Sequence, residues 1–439
     1  MIRALLGMTS ALILLGRVAH AQDTIRVERM QESALRTDPR ANQREMLRAA
    51  ADQRIAVIGS DRLPQMSVNG FASYQSDVTT PKQVFPGVTF PDLPKEHWQT
   101  TLDVEQPIYD GGDVSRRREI EEARHAESQA GVDVALYELR SDVNSAFFSA
   151  FLLAKRSEEF DALVADLDAR LAAVRARVEA GTALGRDAAE IEAERVRASV
   201  QRDEAQASRR ASLKILGNLV GKSIDTTAVL VLPTDEPELS RAIDPTAAES
   251  LRARPEFEQL RLSRERLERE AAYTSTENLP KLSAFGQAGV GLPGYDGFRT
   301  TSDAFWQAGL RVKWQPWTWR SAGRTATAIR MQQDILSTEE QALGRRLARA
   351  VAADLEEIGR LKAALADDER IVDLRTEVER QARAQYDEGT ITTADYVETR
   401  TDVLEARLTL ERHRVELAQA RASYLTTLGL TPQTTSDRP

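Results

Sequence analysis

Two carboxylate pairs stand out because each lies three residues apart just beyond a glycine: Asp187 with Glu190, and Asp395 with Glu398. That spacing puts both members on one helix face, where repetition around an axis would make an acidic ring that binds cations. The same positions open a helix, where a carboxylate complements unsatisfied N–H groups. Both readings fit the residues. Other chemistry is poorly served. The four His, at 20, 97, 125 and 413, are too scattered for a local metal-ligand spacing, and the absence of Cys removes thiolate ligands and nucleophiles. Gly289-x-Gly291-x-x-Gly294 has dinucleotide-motif spacing, but Pro293 and the polar loop after it leave no helix N-terminus for a pyrophosphate. Gly217-x-x-x-Gly221-Lys222-Ser223 is one residue short of a phosphate loop and ends a helix. No Ser/His/Asp set stands out, so neither an enzyme nor a bound cofactor or metal is expected. A formal charge of -9 argues against a nucleic-acid surface.

Long helices must position the carboxylates. Residues 1–21 have Arg3, an apolar run from Ala4 to Gly16 and a small-x-small ending at Ala19-His20-Ala21, the pattern of a secretory signal. No Pro falls between Pro107 and Pro233 or between Pro316 and Pro432. Within those stretches apolar residues recur three and four apart: Val132, Leu136, Leu139, Val143, Phe147 and Phe151, then Leu343, Leu347, Val351, Leu355, Ile358, Leu361 and Leu365. These are amphipathic helices. Each would span roughly 100 Å at 1.5 Å per residue, a length that asks for coiled-coil-like packing. The turns that end them centre on Gly181-Thr182 and Gly389-Thr390, with Gly suited to the left-handed cap.

The chain is also an internal duplication. Trp98-Gln99 returns as Trp306-Gln307, Gly181-Thr182 as Gly389-Thr390, Asp187 as Asp395 and Glu190 as Glu398, all 208 residues apart. Gln106-Pro107 and Leu63-Pro64 return as Gln315-Pro316 and Leu279-Pro280 at slightly longer offsets. The expected organisation is a first repeat over 22–221, a connector over 222–250, a second repeat over 251–430 and a tail over 431–439. Strands are expected at 65–75, 97–107, 281–291 and 303–315, long helices at 113–178 and 321–387, and shorter helices at 187–219 and 393–428. In the strands an apolar face alternates with a polar one, on which Asp103 and Glu105 sit. Trp98, Trp306, Trp314, Trp317 and Trp319 lie in or beside them, as interfacial aromatic anchors would. No stretch reaches the roughly 18 apolar residues of a spanning helix. If the chain enters a bilayer it does so through strands, which must close into a barrel. Four strands are too few, since the smallest barrels have about eight. Several copies would therefore share one barrel, with Asp77 to Glu96 and Leu292 to Ser302 as external loops and Asp103 and Glu105 facing the lumen. A soluble periplasmic coiled-coil scaffold is the alternative, with the sheet's apolar face on a soluble core.

The repeated order of helix, two strands, long helix, turn and helix, with its Leu-Pro, Gln-Pro and Gly-Thr/x/Asp landmarks, resembles the TolC-like outer-membrane efflux protein family over nearly the whole chain. The resemblance implies a homotrimer in the outer membrane, with a twelve-stranded barrel above a periplasmic α-helical tunnel. It implies passive conduction of exported substrates, with a periplasmic adaptor docked on the turns at Gly181, Thr182, Gly389 and Thr390 and an inner-membrane pump, proton-driven or ABC type, supplying energy. By the same resemblance Tyr386, Asp395 and Glu398 narrow the tunnel entrance, with Asp187 and Glu190 at the equivalent first-repeat positions. Where the family's best-known example has an Arg two residues after the second-repeat Gly, this chain has Ile391, and Arg186 appears in the first repeat instead.

Overall fold

The computed structural model describes residues 24–78, 94–233, 251–292, 300–317 and 319–430. The expected leader and tail, residues 234–250 of the connector, and residues 79–93 and 293–299 of the strand-to-strand loops lie outside these residues. The chain opens with β1 (Thr24–Arg26), α1 (Val27–Thr37) and α2 (Gln43–Ser60), followed by β2 (Gln65–Tyr74), β3 (Glu96–Tyr109), α3 (Asp113–Glu179) and α4 (Gly185–Val220). After β4 (Val229–Val231) the pattern returns as α5 (Pro255–Tyr273), β5 (Lys281–Leu292), β6 (Asp303–Lys313), α6 (Ser321–Asp387) and α7 (Thr393–Thr427).

Helices α3 and α6 are each 67 residues long. Their sequences, rich in Ala, Leu, Glu and Arg, contain no Pro, so nothing interrupts the hydrogen-bond ladder. Neither helix buries much alone, and stability comes from packing side by side. Helices α3 and α7 meet in the middle of a helical wall, α4 lies beside α3, and α6 lies beside α7. Helix α5 bridges α3 and α6 nearer the strands.

The largest apolar cluster is where α1, α3, α4 and α7 converge, around Val27, Val143, Phe147, Phe148, Leu216 and Val415. Phe147 and Phe148 meet edge to face with centroids 5.4 Å apart. A buried hydrogen bond from Gln31 Nε2 to Asn144 Oδ1, 2.6 Å, crosses this cluster and fixes α1 on α3. The short parallel pair of β1 and β4 closes the same region, Ile25 opposite Leu230. Two further clusters hold α6 to α7, one around Leu361 and Tyr424 and one at the far tips around Tyr386 and Tyr396.

The other four strands form one antiparallel sheet in the order β2-β3-β5-β6. Strand β3 continues to Tyr109, past the expected end at 107, with a register irregularity between Pro107 and Tyr109 where Pro cannot donate. Strand β6 stops at Lys313, short of the expected 315.

Phe147 has no exposed surface, so Phe147→Ala removes a buried ring where four elements meet. The expected cost is about 3–5 kcal/mol, read as a lowered thermal midpoint by circular dichroism in detergent. An unchanged midpoint would contradict this placement of the core.

Candidate functional site

At one end of the molecule the two helical hairpins are capped alike. Gly181 and Gly389 adopt φ of 71° and 74°, the left-handed region that admits glycine without strain. The amide of Thr182 donates to Arg177 O at 2.8 Å and that of Thr390 to Gln385 O at 2.9 Å, closing each helix with the 6→1 hydrogen bond that follows a left-handed residue. Each threonine hydroxyl donates to the same carbonyl as its own amide. The expected docking residues thus form two matching exposed turns.

The carboxylates that follow begin helices. Asp395 Oδ2 accepts from the Thr392 amide at 3.0 Å and the Thr392 hydroxyl at 2.7 Å, while the Asp395 amide donates to Thr392 Oγ1 at 3.2 Å. This is a reciprocal capping box. Asp187 Oδ2 accepts from the Leu184 amide at 3.2 Å, the first-repeat equivalent. One oxygen of each Asp is therefore committed to its own turn, whereas Glu190 and Glu398 extend exposed from the same helices.

Arg186 and Tyr386 are not brought together in the chain. The Arg186 side chain is 76% exposed, with its own neighbour Asp187 3.7 Å away. Tyr386 is buried, stacked on Tyr396 with centroids 5.1 Å apart. Sequence reasoning missed what surrounds that stack. The Arg170 guanidinium of α3 lies 4.1 Å above the Tyr396 ring, and Arg170 pairs with Asp166 at 3.1 Å. Arg400 of α7 reaches the same Asp166 at 3.2 Å and Glu379 of α6 at 3.7 Å. Burial holds the Tyr396 hydroxyl well above the usual phenol range. This cluster ties the first-repeat hairpin to the second just above the tips. The only available signal was Arg residues within otherwise amphipathic helices, which does not reveal their partners.

At the other end the sheet separates its two faces cleanly. Val68, Leu102, Ala288 and Trp306 align across all four strands on one face, with Met66, Val104, Gly286 and Ala308 beside them. On the opposite face Ser67, Asp103, Gln287 and Gln307 form one row. Asp103 accepts from Asn69 at 2.7 Å, from Thr101 at 2.8 Å and from Gln287, and Gln287 in turn accepts from Gln307. Glu105 accepts from Ser283 at 2.7 Å and from Arg311 at 3.0 Å. A polar ladder thus runs from edge to edge. Of the tryptophans, Trp98 is the least exposed, whereas Trp306 and Trp317 stand largely free and Trp314 donates to Asn278 O at 3.1 Å.

The lookalike Gly217–Ser223 segment closes α4: Gly221 is its left-handed cap, and a Cβ at Gly217 would lie 2.7 Å from Lys222 O. Part of the dinucleotide-like spacing, from Pro293 onward, falls outside the described residues. Among the described residues no group of His, Asp or Glu could hold a metal ion.

Residues 17–222 match the model of a family described as outer membrane efflux protein. No curated protein matches the sequence. Among solved structures, the chain is similar to CusC, whose structures describe transmembrane channel formation, at 14% identity and a TM-score of 0.69 over 92% of both chains. The CmeC outer membrane channel of Campylobacter jejuni shares 15% identity and a TM-score of 0.68 over 94% of this chain and 87% of that one. The outer membrane protein VceC of Vibrio cholerae shares 14% and 0.66, covering 92% and 96%. The fold is that of the TolC-like outer-membrane channels, and the family match over the first repeat supports the resemblance independently. That family is one of channel proteins, not of enzymes.

The Thr392 hydroxyl, and then its amide, hold the Asp395 carboxyl below its ordinary value of 3.8. A lowered folded-state value means that this contribution is full above the ordinary value and is lost as pH falls through the lower one. The protection of the amides of residues 389–396, corrected for the intrinsic exchange rate at each pH, is therefore expected to be higher at neutral pH and to fall in strong acid. Thr392→Ala removes the cap, worth about 1 kcal/mol, and should produce the lower protection already at neutral pH. Equal protection in both proteins at neutral pH would show that the box does not hold the tip.

Proposed function

We propose that the protein is the outer-membrane duct of a tripartite export system. It is a homotrimer that conducts substrates passively to the exterior while a periplasmic adaptor and an inner-membrane pump, proton-driven or ABC type, select and energise them. One observation carries the proposal. The four-stranded sheet exposes a continuous apolar face, and among the described residues its outer strands β2 and β6 have no strand partner on their far sides. Such a surface is stable where hydrocarbon covers the face and neighbouring copies satisfy the edges. No helix among the described residues is long and apolar enough to cross a membrane, which leaves the strands to do so.

The helical wall asks for the same partners. Ile371, Leu374 and Val378 form an exposed apolar stripe on α6, eleven to eighteen residues before its tip glycine, Gly389. Val196 and Val200 form another on α4, at a similar distance beyond the other tip glycine. The two stripes sit on the flanking helices of the wall at matching heights, as a ring closed by repetition requires. The polar ladder around Asp103 and Glu105 then faces the lumen, with Trp98, Trp306, Trp314 and Trp317 near the membrane boundaries. The paired turns at Gly181-Thr182 and Gly389-Thr390 face the adaptor.

In this arrangement Glu190 and Glu398, with the uncommitted oxygens of Asp187 and Asp395, converge as an acidic constriction at the tips. The contribution of Arg186 and Tyr386 is then indirect: Tyr386 packs the tip from within, and the exposed Arg186, 3.7 Å from Asp187, is within reach of a neighbouring copy. Single-channel recording tests the constriction. Asp395→Ala combined with Glu398→Ala is expected to raise conductance and relieve block by divalent cations, and unchanged conductance and block would remove the claim. The scaffold alternative is separated by detergent partitioning, since a soluble scaffold would stay in the aqueous phase.

A further inference from the structure

We infer that two copies of this chain join β6 of one to β2 of the next in a single register, already written inside each chain by its own duplication. The inference rests on the shared sheet proposed above and names the residues that meet at its seam. Within the chain, the second strand of the first repeat pairs with the first strand of the second repeat through Leu102 opposite Ala288, Asp103 opposite Gln287 and Val104 opposite Gly286. The next junction around the ring has the same form, the second strand of the second repeat meeting the first strand of a neighbour's first repeat. Carried over by the repeat landmarks, Trp98 to Trp306 and Leu279-Pro280 to Leu63-Pro64, the pairs become Leu310 opposite Ala72, Arg311 opposite Phe71 and Val312 opposite Gly70.

Three observations support this register. The faces agree, because Leu310, Val312, Ala72 and Gly70 fall on the apolar side and Arg311 and Phe71 on the polar side, whereas a one-residue slip would reverse one strand. The side chains also suit each other. Arg311 already lies 4.8 Å above the Phe285 ring of its own sheet, and the seam sets it beside a second exposed ring, Phe71.

The third observation is the turn that follows each strand. After β3, Gly111 and Gly112 adopt φ of 67° and 84°, and Gly111 lies so close to Leu279 that a Cβ would come within 2.9 Å of the Leu279 Cβ. At the corresponding place after β6, Trp319 and Arg320 hold φ of 50° and 61°, a conformation that side chains rarely adopt. Among the described residues nothing rewards that strain, since the Trp319 side chain is 81% exposed and its one aromatic contact there is with Trp317. The counterpart of Leu279 is Leu63, itself exposed. The strained turn therefore lays Trp319 over Leu63 of the neighbouring copy, a looser joint than the glycine junction inside each chain.

Cysteine pairs test the register, because the chain has no Cys of its own. Adjacent positions alternate between close and wide pairs, so both Arg311→Cys with Phe71→Cys and Leu310→Cys with Ala72→Cys are made in the full chain and oxidised in membranes with copper–phenanthroline. At least one pair is expected to give cross-linked oligomers, against little or none for Arg311→Cys with Asn69→Cys or with Ser73→Cys. Preferential cross-linking of a shifted pair, or none from either register pair in a protein that still runs as an oligomer, overturns the register alone. A monomer that remains aqueous overturns the shared sheet as well. Trp319→Ala and Leu63→Ala should each lower the temperature at which the oligomer dissociates, and the double variant should lower it no further than the larger single effect. Additive losses would show that the two side chains do not meet.

Discussion

A sheet with one oily face and two edges left unpaired among the described residues is the constraint on which the rest of this structure depends. Backbone N–H and C=O groups at a strand edge need partners, and an apolar face needs something other than water against it. Four strands can meet neither need alone. Most of the chain's other features are compatible with a ring of copies and awkward in a single one. The flanking helices carry apolar stripes at matching heights, the tips end in paired turns closed alike, and the polar ladder spans the sheet from one edge to the other.

The helical part answers a different demand. The proposed long conduit must be rigid without a thick core, a demand that 67-residue helices with a narrow apolar stripe on their buried side would meet. Rigidity is concentrated at a few nodes. One lies where α1, α3, α4 and α7 converge on Phe147 and Phe148, pinned by the buried Gln31–Asn144 bond. Another lies just above the tips, where Asp166 receives both Arg170 and Arg400 and the Tyr386–Tyr396 stack fills the space beneath. Between the nodes the helix surfaces carry many exposed ion pairs, each worth little on its own.

Much of this architecture was legible in the sequence, because length and period are strong signals. The proline-free stretches announced α3 and α6, and the spacing of Leu343, Leu347, Ile358 and Leu361 marked residues that are buried in the structure. The alternation in the strands revealed their two faces. Local turn chemistry was also readable, since Gly181 and Gly389 take the left-handed caps that their positions required. What could not be read were contacts between distant segments. The Asp103 ladder joins residues from four strands, and the Arg170–Asp166–Arg400–Glu379 cluster joins three helices, so neither leaves a local trace. Tyr386 shows the same limit: spacing placed it near the tip but could not say that its ring would turn inward onto Tyr396. Nor could composition distinguish an Asp that caps a turn from one free to face a lumen, and Asp395 devotes one oxygen to the first task.

The most direct test of the central claim is the mass of the membrane-extracted protein, measured by native mass spectrometry from lipid nanodiscs. A shared barrel predicts an assembly of three chains that survives release from the lipid. A stable, folded single chain in the same preparation would contradict it, because that sheet would then have found another way to satisfy its edges.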